Sequence, residues 1–271
     1  MHGCECAFSH RYVWAESYGI TKAVYKDAFF MRNDFEGERY YFAPFHAAAA
    51  DYAEFRDLLL QDSEGWPLVF IVVYEFQLPM LKRMFPGAVV EAVQDDFDYI
   101  YLQSELATLA GRKFHGQKNH YNAFCKEHPD WSYEPVTSVN LQECLALGEE
   151  WCDFRMATDP SIADEKVAIR RACAHFDELE LRGGAIRYDG RLQAFSFGSK
   201  LNSTTATLHF EKVRPGVRGL YAAINKEFAA HAWQDVVYIN REEDMGLEGL
   251  RTAKESLHPV MMWKKYRVRV K

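Results

Sequence analysis

Residues 204–230 read TTATLHFEK, VRPGVRG, LYAAINKEFAA, and this stretch decides the fold. The first block alternates. Ala206, Leu208 and Phe210 fall on one side and Thr205, Thr207, His209 and Glu211 on the other, the period-two signature of a sheet strand. The last block carries Leu220, Ile224 and Phe228 four residues apart, which stacks them on one helical face. Pro215 and Gly216 permit a sharp turn between the two, and Arg214 and Arg218 bring positive charge to the helix start. A strand that feeds straight into a helix leaves the first amides of the helix without partners, and such a terminus suits an anion, most often a phosphate. The pattern therefore predicts a phosphate cradle at Arg214, Gly216, Val217, Arg218 and Gly219, with the amides from Gly216 to Leu220 open to a hollow. An ordinary strand–turn–helix connection is the plainer alternative.

Working outward, 271 residues with 48% hydrophobic content give ample material for a core, and the length favours roughly two domains. The balance of 32 basic against 39 acidic residues, net −7, argues against general nucleic-acid binding but leaves local basic patches open. No segment approaches the roughly 18 uninterrupted apolar residues of a membrane span. The start, MHGCECAFSHRY, lacks the apolar centre of a signal peptide, so a cytoplasmic protein is expected. Six scattered cysteines (Cys4, Cys6, Cys125, Cys144, Cys152 and Cys173) are expected to be reduced. His2 and His10 near Cys4 and Cys6 allow adventitious metal binding, but no second pair stands at zinc-site spacing and no metal is expected.

Upstream, TKAVYKD, AFFMRND and ERYYFAP predict a three-stranded antiparallel meander, turning at Asp27–Ala28 and Glu36–Gly37. HAAAADYAEFRDLLLQDS predicts a helix, WPLVFIVV a buried strand, EFQLPMLKRMF a short helix with Pro79 in its first turn, and GAVVEAVQDD and DYIYLQ two closing strands. A polar helix, whole or interrupted at Gly111 and Gly116, runs from Ser104 to His128 and stops before Pro129. WSYEPVT is a strand. NLQECLALGEEWCDFR is a helix with Leu141, Leu145 and Gly148 on one side, and SIADEKVAIRRACAHFDELE is another, capped by Ser161. A hairpin turns at Asp189–Gly190. After the central stretch come DVVYIN as a buried strand, GLEGLRTAKES as a short helix and HPVMMWKKYRVRV as a closing strand. The shared order of elements suggests two copies of one architecture: 1–103, a connecting helix over 104–130, and 131–271. Where the second copy has VRPGVRG the first has FAPFHAA, without glycine or arginine, so only the second is expected to hold a phosphate.

Three long blocks, DYIYLQSELATLAGRKFHGQKNHYNAF, LHFEKVRPGVRGLYAAINKEFA and YINREEDMGLEGLRTAKESLHPV, carry a resemblance. In this order and spacing the chain resembles tandem GNAT acyltransferases, and more closely the soluble bacterial proteins similar to the C-terminal domain of phosphatidylglycerol lysyltransferases. The resemblance covers nearly the whole chain. It implies an α/β (α+β) fold of tandem GNAT-like domains, each a mixed central sheet flanked by helices. It implies transfer of an acyl or aminoacyl group from acyl-CoA or aminoacyl-tRNA to a small-molecule or peptide amine, or to a hydroxyl, with tRNA as a partner. The family's donor loop runs Arg/Gln-x-x-Gly-x-Gly/Ala. Counted from Arg214, its two glycine positions hold Val217 and Gly219. A degenerate, non-catalytic pair that binds a nucleotide, tRNA or peptide is the alternative.

Candidate chemistry gathers beyond the strand ends, where open α/β sheets take their ligands. Glu211 and His209, read as sharing one face, could take the proton of an attacking amine, or pair structurally with the basic loop. Asn240 and Glu242 open the run NREED after the buried strand; its acids could hold a cationic acceptor, or a magnesium ion through Glu242 and Asp244, while Asp244 reads as a helix cap. Lys254, with Leu257 and Pro259, matches a lysyltransferase-like pattern and is a substrate-contact candidate. Arg112, His115, Asn119, Asn122 and Lys126 form a polar helical stripe, joined by Lys113, Lys118 and His120. It reads as a solvated face or as a cleft wall between the halves that meets a phosphate or an RNA end. Direct attack in a ternary complex needs no covalent enzyme intermediate.

Overall fold

The computed structural model of the protein describes residues 3–35 and 37–271. His2, and Glu36 of the Glu36–Gly37 turn, lie outside the described residues. Contacts divide the chain into two compact units. One takes the N-terminal residues through Val13 together with Asp98–Trp263; the other takes Trp14–Phe97 with Lys264–Lys271. The expected boundaries at 103 and 130 both fall inside the larger unit.

Helix α1 (Phe8–Trp14) opens the chain. The smaller unit then builds the expected meander from β1 (Ile20–Tyr25), β2 (Ala28–Phe35) and β3 (Glu38–Phe42). Helix α2 (Tyr52–Asp62), strand β4 (Val69–Tyr74), helix α3 (Leu78–Met84) and strand β5 (Val89–Ala92) follow. Pro79 sits in the first turn of α3, where its missing N–H is no loss. Phe55 and Leu59 of α2 pack on Tyr41, Phe70 and Val73 to form this unit's core.

The larger unit comprises β6 (Asp98–Leu102), α4 (Gln103–Thr108), α5 (His115–Glu127), β7 (Ser132–Pro135), α6 (Leu141–Met156), α7 (Ile162–Ala174), β8 (Arg182–Tyr188), β9 (Arg191–Asn202), β10 (Thr205–Val213), α8 (Leu220–Ala232), β11 (Tyr238–Asn240), α9 (Glu248–Glu255) and β12 (Met261–Trp263). Strand β13 (Lys265–Arg269) returns to the smaller sheet. The six-stranded sheet has the order β1-β2-β3-β4-β13-β5 and the seven-stranded sheet β12-β6-β11-β10-β9-β8-β7. Both are mixed: β3–β4 and β10–β11 pair in parallel, the other pairs antiparallel. This is the α/β (α+β) class expected, two mixed sheets flanked by helices.

Several local expectations are corrected. DYIYLQ does not close the first sheet: β6 pairs with β11 and β12 of the larger one. The C-terminal run is two strands in two sheets, β12 and β13, not one. The polar helix breaks once, at Leu109 (φ +48°) and Gly111 (φ +95°), whereas Gly116 lies inside α5. The buried side of α6 is Cys144, Leu147, Gly148 and Cys152, because two cysteines serve there as small apolar residues; a Cβ on Gly148 would stand 3.1 Å from Ile169. Ser161 caps nothing; its amide and hydroxyl both bond Asp159. By contrast, Leu220, Ile224 and Phe228 of α8 are buried as expected, each at most 1% exposed.

Candidate active site

The larger unit is organised by the divergence of β10 and β11. These parallel strands pair only over Thr205–Thr207 and Tyr238–Asn240, and β10 then runs on alone to Val213. A bulge at His209 shifts the register against β9, since Leu208 faces Gly198 and Phe210 faces Phe197. The extra residue reverses the alternation, so Glu211 and His209 do not share a face. Glu211 turns towards α8, where its Oε1 accepts from Asn225 Nδ2 at 2.8 Å; His209 turns towards α1, bonding Ser9.

Glu211 is the hub of the first group. Besides Asn225, it accepts from Ser196 Oγ (3.1 Å) and from Arg241 Nη2 (3.1 Å), the first residue beyond β11. The pair is largely buried, 8% and 11% exposed at the side chains. Among the described residues, Arg241 Nε and Nη1 and Asn225 Oδ1 are buried with no hydrogen-bond partner. Buried polar atoms are rarely left so, because each costs about 1–3 kcal/mol; others occur elsewhere, on Trp233 and Arg32 for example, but here three gather around one carboxylate. The sequence reading missed Asn225 and Arg241. The available signal was an asparagine between Ile224 and Phe228, on an otherwise apolar helix face.

The loop from β10 to α8 lies beside this group in sequence and is only partly as expected. The amides of residues 216–222 donate to no acceptor among the described residues, and the first helical bond runs from Ala223 N to Gly219 O. Gly216 (φ +84°) has open space where a Cβ would stand. Gly219 (φ +80°) instead serves packing: a Cβ there would stand 2.1 Å from the His120 carbonyl of α5. Arg214 is engaged by Glu150 at 2.6 Å. Arg218 is exposed and makes no ion pair among the described residues. Val217 packs partly into the core formed by Phe124, Leu220 and Ile224.

The second group lies on the other side of the bulge. His209 Nδ1 meets Glu242 Oε1 at 2.9 Å, and its Nε2 stands 3.1 Å from Ser9 Oγ and 2.9 Å from Ser199 Oγ. Burial pushes the His209 imidazole down to about 3. Burial pushes the Glu242 carboxyl up to about 8, with His10 pulling the other way. Asn240, fully buried, donates to Asp98 Oδ2 and accepts from the Glu242 amide, both at 2.8 Å. Glu242 itself takes a left-handed backbone (φ +60°). Lys254, expected at a substrate, is buried and donates to the Arg241 and Glu243 carbonyls at 2.5 Å; burial pulls its amine down to about 8. Asp244 is an anchor rather than a cap, accepting from Tyr99 (2.6 Å), Arg251 (2.8 Å) and the Gly246 amide.

Helix α5 packs on α8 through Phe124, and its polar stripe faces outward. Arg112, His115, Lys118, Asn119, Asn122 and Lys126 are all exposed. Of the basic residues here only Lys113 is engaged by an acid, Glu105 at 2.8 Å, among the described residues.

Comparisons with known proteins bear on the chain as a whole. A Bacteroides thetaiotaomicron protein described as conserved and of unknown function is 34% identical, with 100% of this chain and 92% of that one covered and a TM-score of 0.90. The structure of L-PGS from Bacillus licheniformis shares the fold at 12% identity, covering 94% and 89%, with a TM-score of 0.66. Mycoplasmoides gallisepticum MYCGA3080, described as uncharacterised, is 24% identical over 176 residues; the match spans 64% of this chain and 56% of that protein's length. No helix among the described residues is long and apolar enough to cross a membrane. The sequence pattern of one family extends over residues 1–269, and on that match the chain belongs to the phosphatidylglycerol lysyltransferase C-terminal family.

Proposed function

We propose that the chain is a transferase that moves an aminoacyl group from an aminoacyl-tRNA, in preference to an acyl group from acyl-CoA, onto an amine or hydroxyl by direct attack. The observation that carries this reading is the orphaned polar edge beside Glu211: Arg241 Nε and Nη1, and Asn225 Oδ1. A buried guanidinium edge suits a carbonyl oxygen that gains negative charge under attack. An unfilled amide acceptor next to a carboxylate suits an ammonium. An aminoacyl ester carries both groups on adjacent carbons, whereas an acetyl thioester carries only the carbonyl.

In this reading Arg241 polarises the ester, and Glu211 with Asn225 holds the α-ammonium. The acceptor's oxygen or nitrogen bonds to the carbonyl carbon, the ester C–O bond breaks, and the departing ribose oxygen takes up the acceptor's proton. The free amides of 216–222, with Arg218, receive the terminal phosphate. Lys118 and Lys126, on the helix against which Gly219 packs, and Arg112 in the turn just before it follow the rest of the RNA backbone, with His115, Asn119 and Asn122 between them. His209, Asn240, Glu242 and Lys254 hold the loop that presents Arg241. A charged tRNA puts the reaction in the cytoplasm.

The test incubates the protein with charged tRNA, or with acetyl-CoA, and a panel of amines and hydroxyl compounds, and looks for a modified acceptor by mass spectrometry. An aminoacylated product is expected. Tight tRNA binding with no product from any donor would favour the non-catalytic reading, which the use of Gly219 in packing also supports. An acetylated product alone would overturn the choice of donor.

A further inference from the structure

The second group holds more than a scaffold needs. Three segments far apart in sequence converge there: the N-terminal turn and α1, the start of β6, and the end of β11. Cys4, His10 and Glu242 each bring a ligand atom to one point, all within 4.8 Å of one another, and His10 Nε2 stands 3.7 Å from Glu242 Oε1. An ion at about 2.0–2.3 Å from sulfur, imidazole and carboxylate fits donors so spread after movements of tenths of an ångström. Around Cys4, further carboxylates gather: its sulfur lies 3.4 Å from Asp98 Oδ1 and 3.7 Å from Glu243 Oε2.

We propose that Cys4, His10 and Glu242 bind one divalent transition-metal ion of the zinc type, with Asp98 or Glu243 as the fourth donor. A thiolate and an imidazole beside a carboxylate suit zinc, cobalt(II) or iron(II), whereas magnesium and calcium prefer oxygen alone. The surroundings are those of a held site. Glu242 Oε1 is oriented by His209, which Ser9 and Ser199 fix in turn. Asp98 is oriented by the Cys4 amide and by Asn240, which also holds the Glu242 amide. Such outer partners set ligand direction in metal sites, and their loss typically weakens metal binding about 10–100-fold. The ion would tie the N-terminal segment to the strand ends of the larger unit. This inference departs from the expectation of no metal and does not depend on the transferase reading.

The experiment titrates untagged, chelator-treated, full-length protein, kept reduced without thiols, with Co²⁺ and then Zn²⁺. One equivalent of cobalt is expected to bind with a thiolate-to-cobalt charge-transfer band, which zinc then removes. Cys4→Ser should abolish the band, His10→Gln should weaken binding at least about 10-fold, and Cys6→Ser and Cys125→Ser should keep both. The wild-type spectrum is decisive even where a variant folds poorly. A wild-type titration without a thiolate band overturns the site, as does a band that survives Cys4→Ser or disappears in Cys6→Ser.

Discussion

Each unit joins a strand to a helix beside a short parallel pairing, β3 to α2 in one and β10 to α8 in the other, and the two loops are finished differently. In FAPFHAA the backbone turns back on its own sheet: Phe45 and Phe29 exchange both amide and carbonyl bonds at 3.0 Å. In VRPGVRG and the first turn of α8, the amides of 216–222 donate to no acceptor among the described residues. One connection closes on its own sheet, and the other leaves these donors unpaired. The same contrast recurs across the bulge of β10. On one side both ring nitrogens of His209 are hydrogen-bonded, while the Glu211 side leaves three buried polar atoms of Arg241 and Asn225 without partners. Unpaired buried atoms occur elsewhere too, on Trp233 and Arg32 for example; what sets the Glu211 side apart is that three of them gather around one carboxylate.

The hardest blow to that distinction falls on Arg241. Arg241→Lys keeps a positive charge beside Glu211 and so avoids stranding a buried carboxylate, but it removes the planar fork. Aminoacyl transfer is expected to fall about 10²–10³-fold, the usual cost of losing one preorganised donor to a developing oxyanion. Donor affinity and the thermal midpoint should barely move. Single-turnover rates with charged tRNA read the first and calorimetry the second; an unchanged rate would remove Arg241 from the chemistry.

The two glycines of the basic loop give the next largest separation. Gly219→Ala combines a left-handed φ with a Cβ 2.1 Å from the His120 carbonyl, so α5 must move; a stability loss of at least about 2 kcal/mol is expected. Gly216→Ala carries only the backbone penalty, about 1 kcal/mol, because nothing lies within 4 Å. Urea unfolding of both variants checks the order. Equal losses would mean that Gly219 is not pressed against α5.

Much of this architecture was legible in sequence because it is local. The meander, the buried run of β4, the Asp189–Gly190 hairpin and the apolar face of α8 all follow from periodicity and turn residues within a dozen positions. What failed was long-range. The split of the C-terminal run between two sheets depends on pairing with β6 and β4, partners some 160 to 200 residues away, which no window of sequence displays. The site divides in the same way. The basic loop and Glu211 could be found from their spacing, but one inserted residue at His209 sent two expected partners to opposite faces. Cys4, Ser9 and His10 carry no local sign that they will meet Asp98 and Glu242.

The smallest expected effect is the most specific to the loop comparison. Arg218 is exposed and makes no ion pair among the described residues, so Arg218→Ala should leave stability unchanged. If it meets one phosphate of the donor, tRNA binding should weaken to a similar degree for every tRNA tested, and the slope of log affinity against log salt should fall by about 0.7–0.9, the signature of one lost contact. Lys118→Ala on α5 should do the same if the RNA backbone continues along that helix. His46→Ala in the closed loop of the smaller unit, also exposed, should alter neither affinity nor slope, because that loop's backbone is already bonded to β2. Binding isotherms over a range of salt concentrations decide the matter: a slope change at His46 equal to that at Arg218 would mean that the open amides of 216–222 confer nothing that the closed loop lacks.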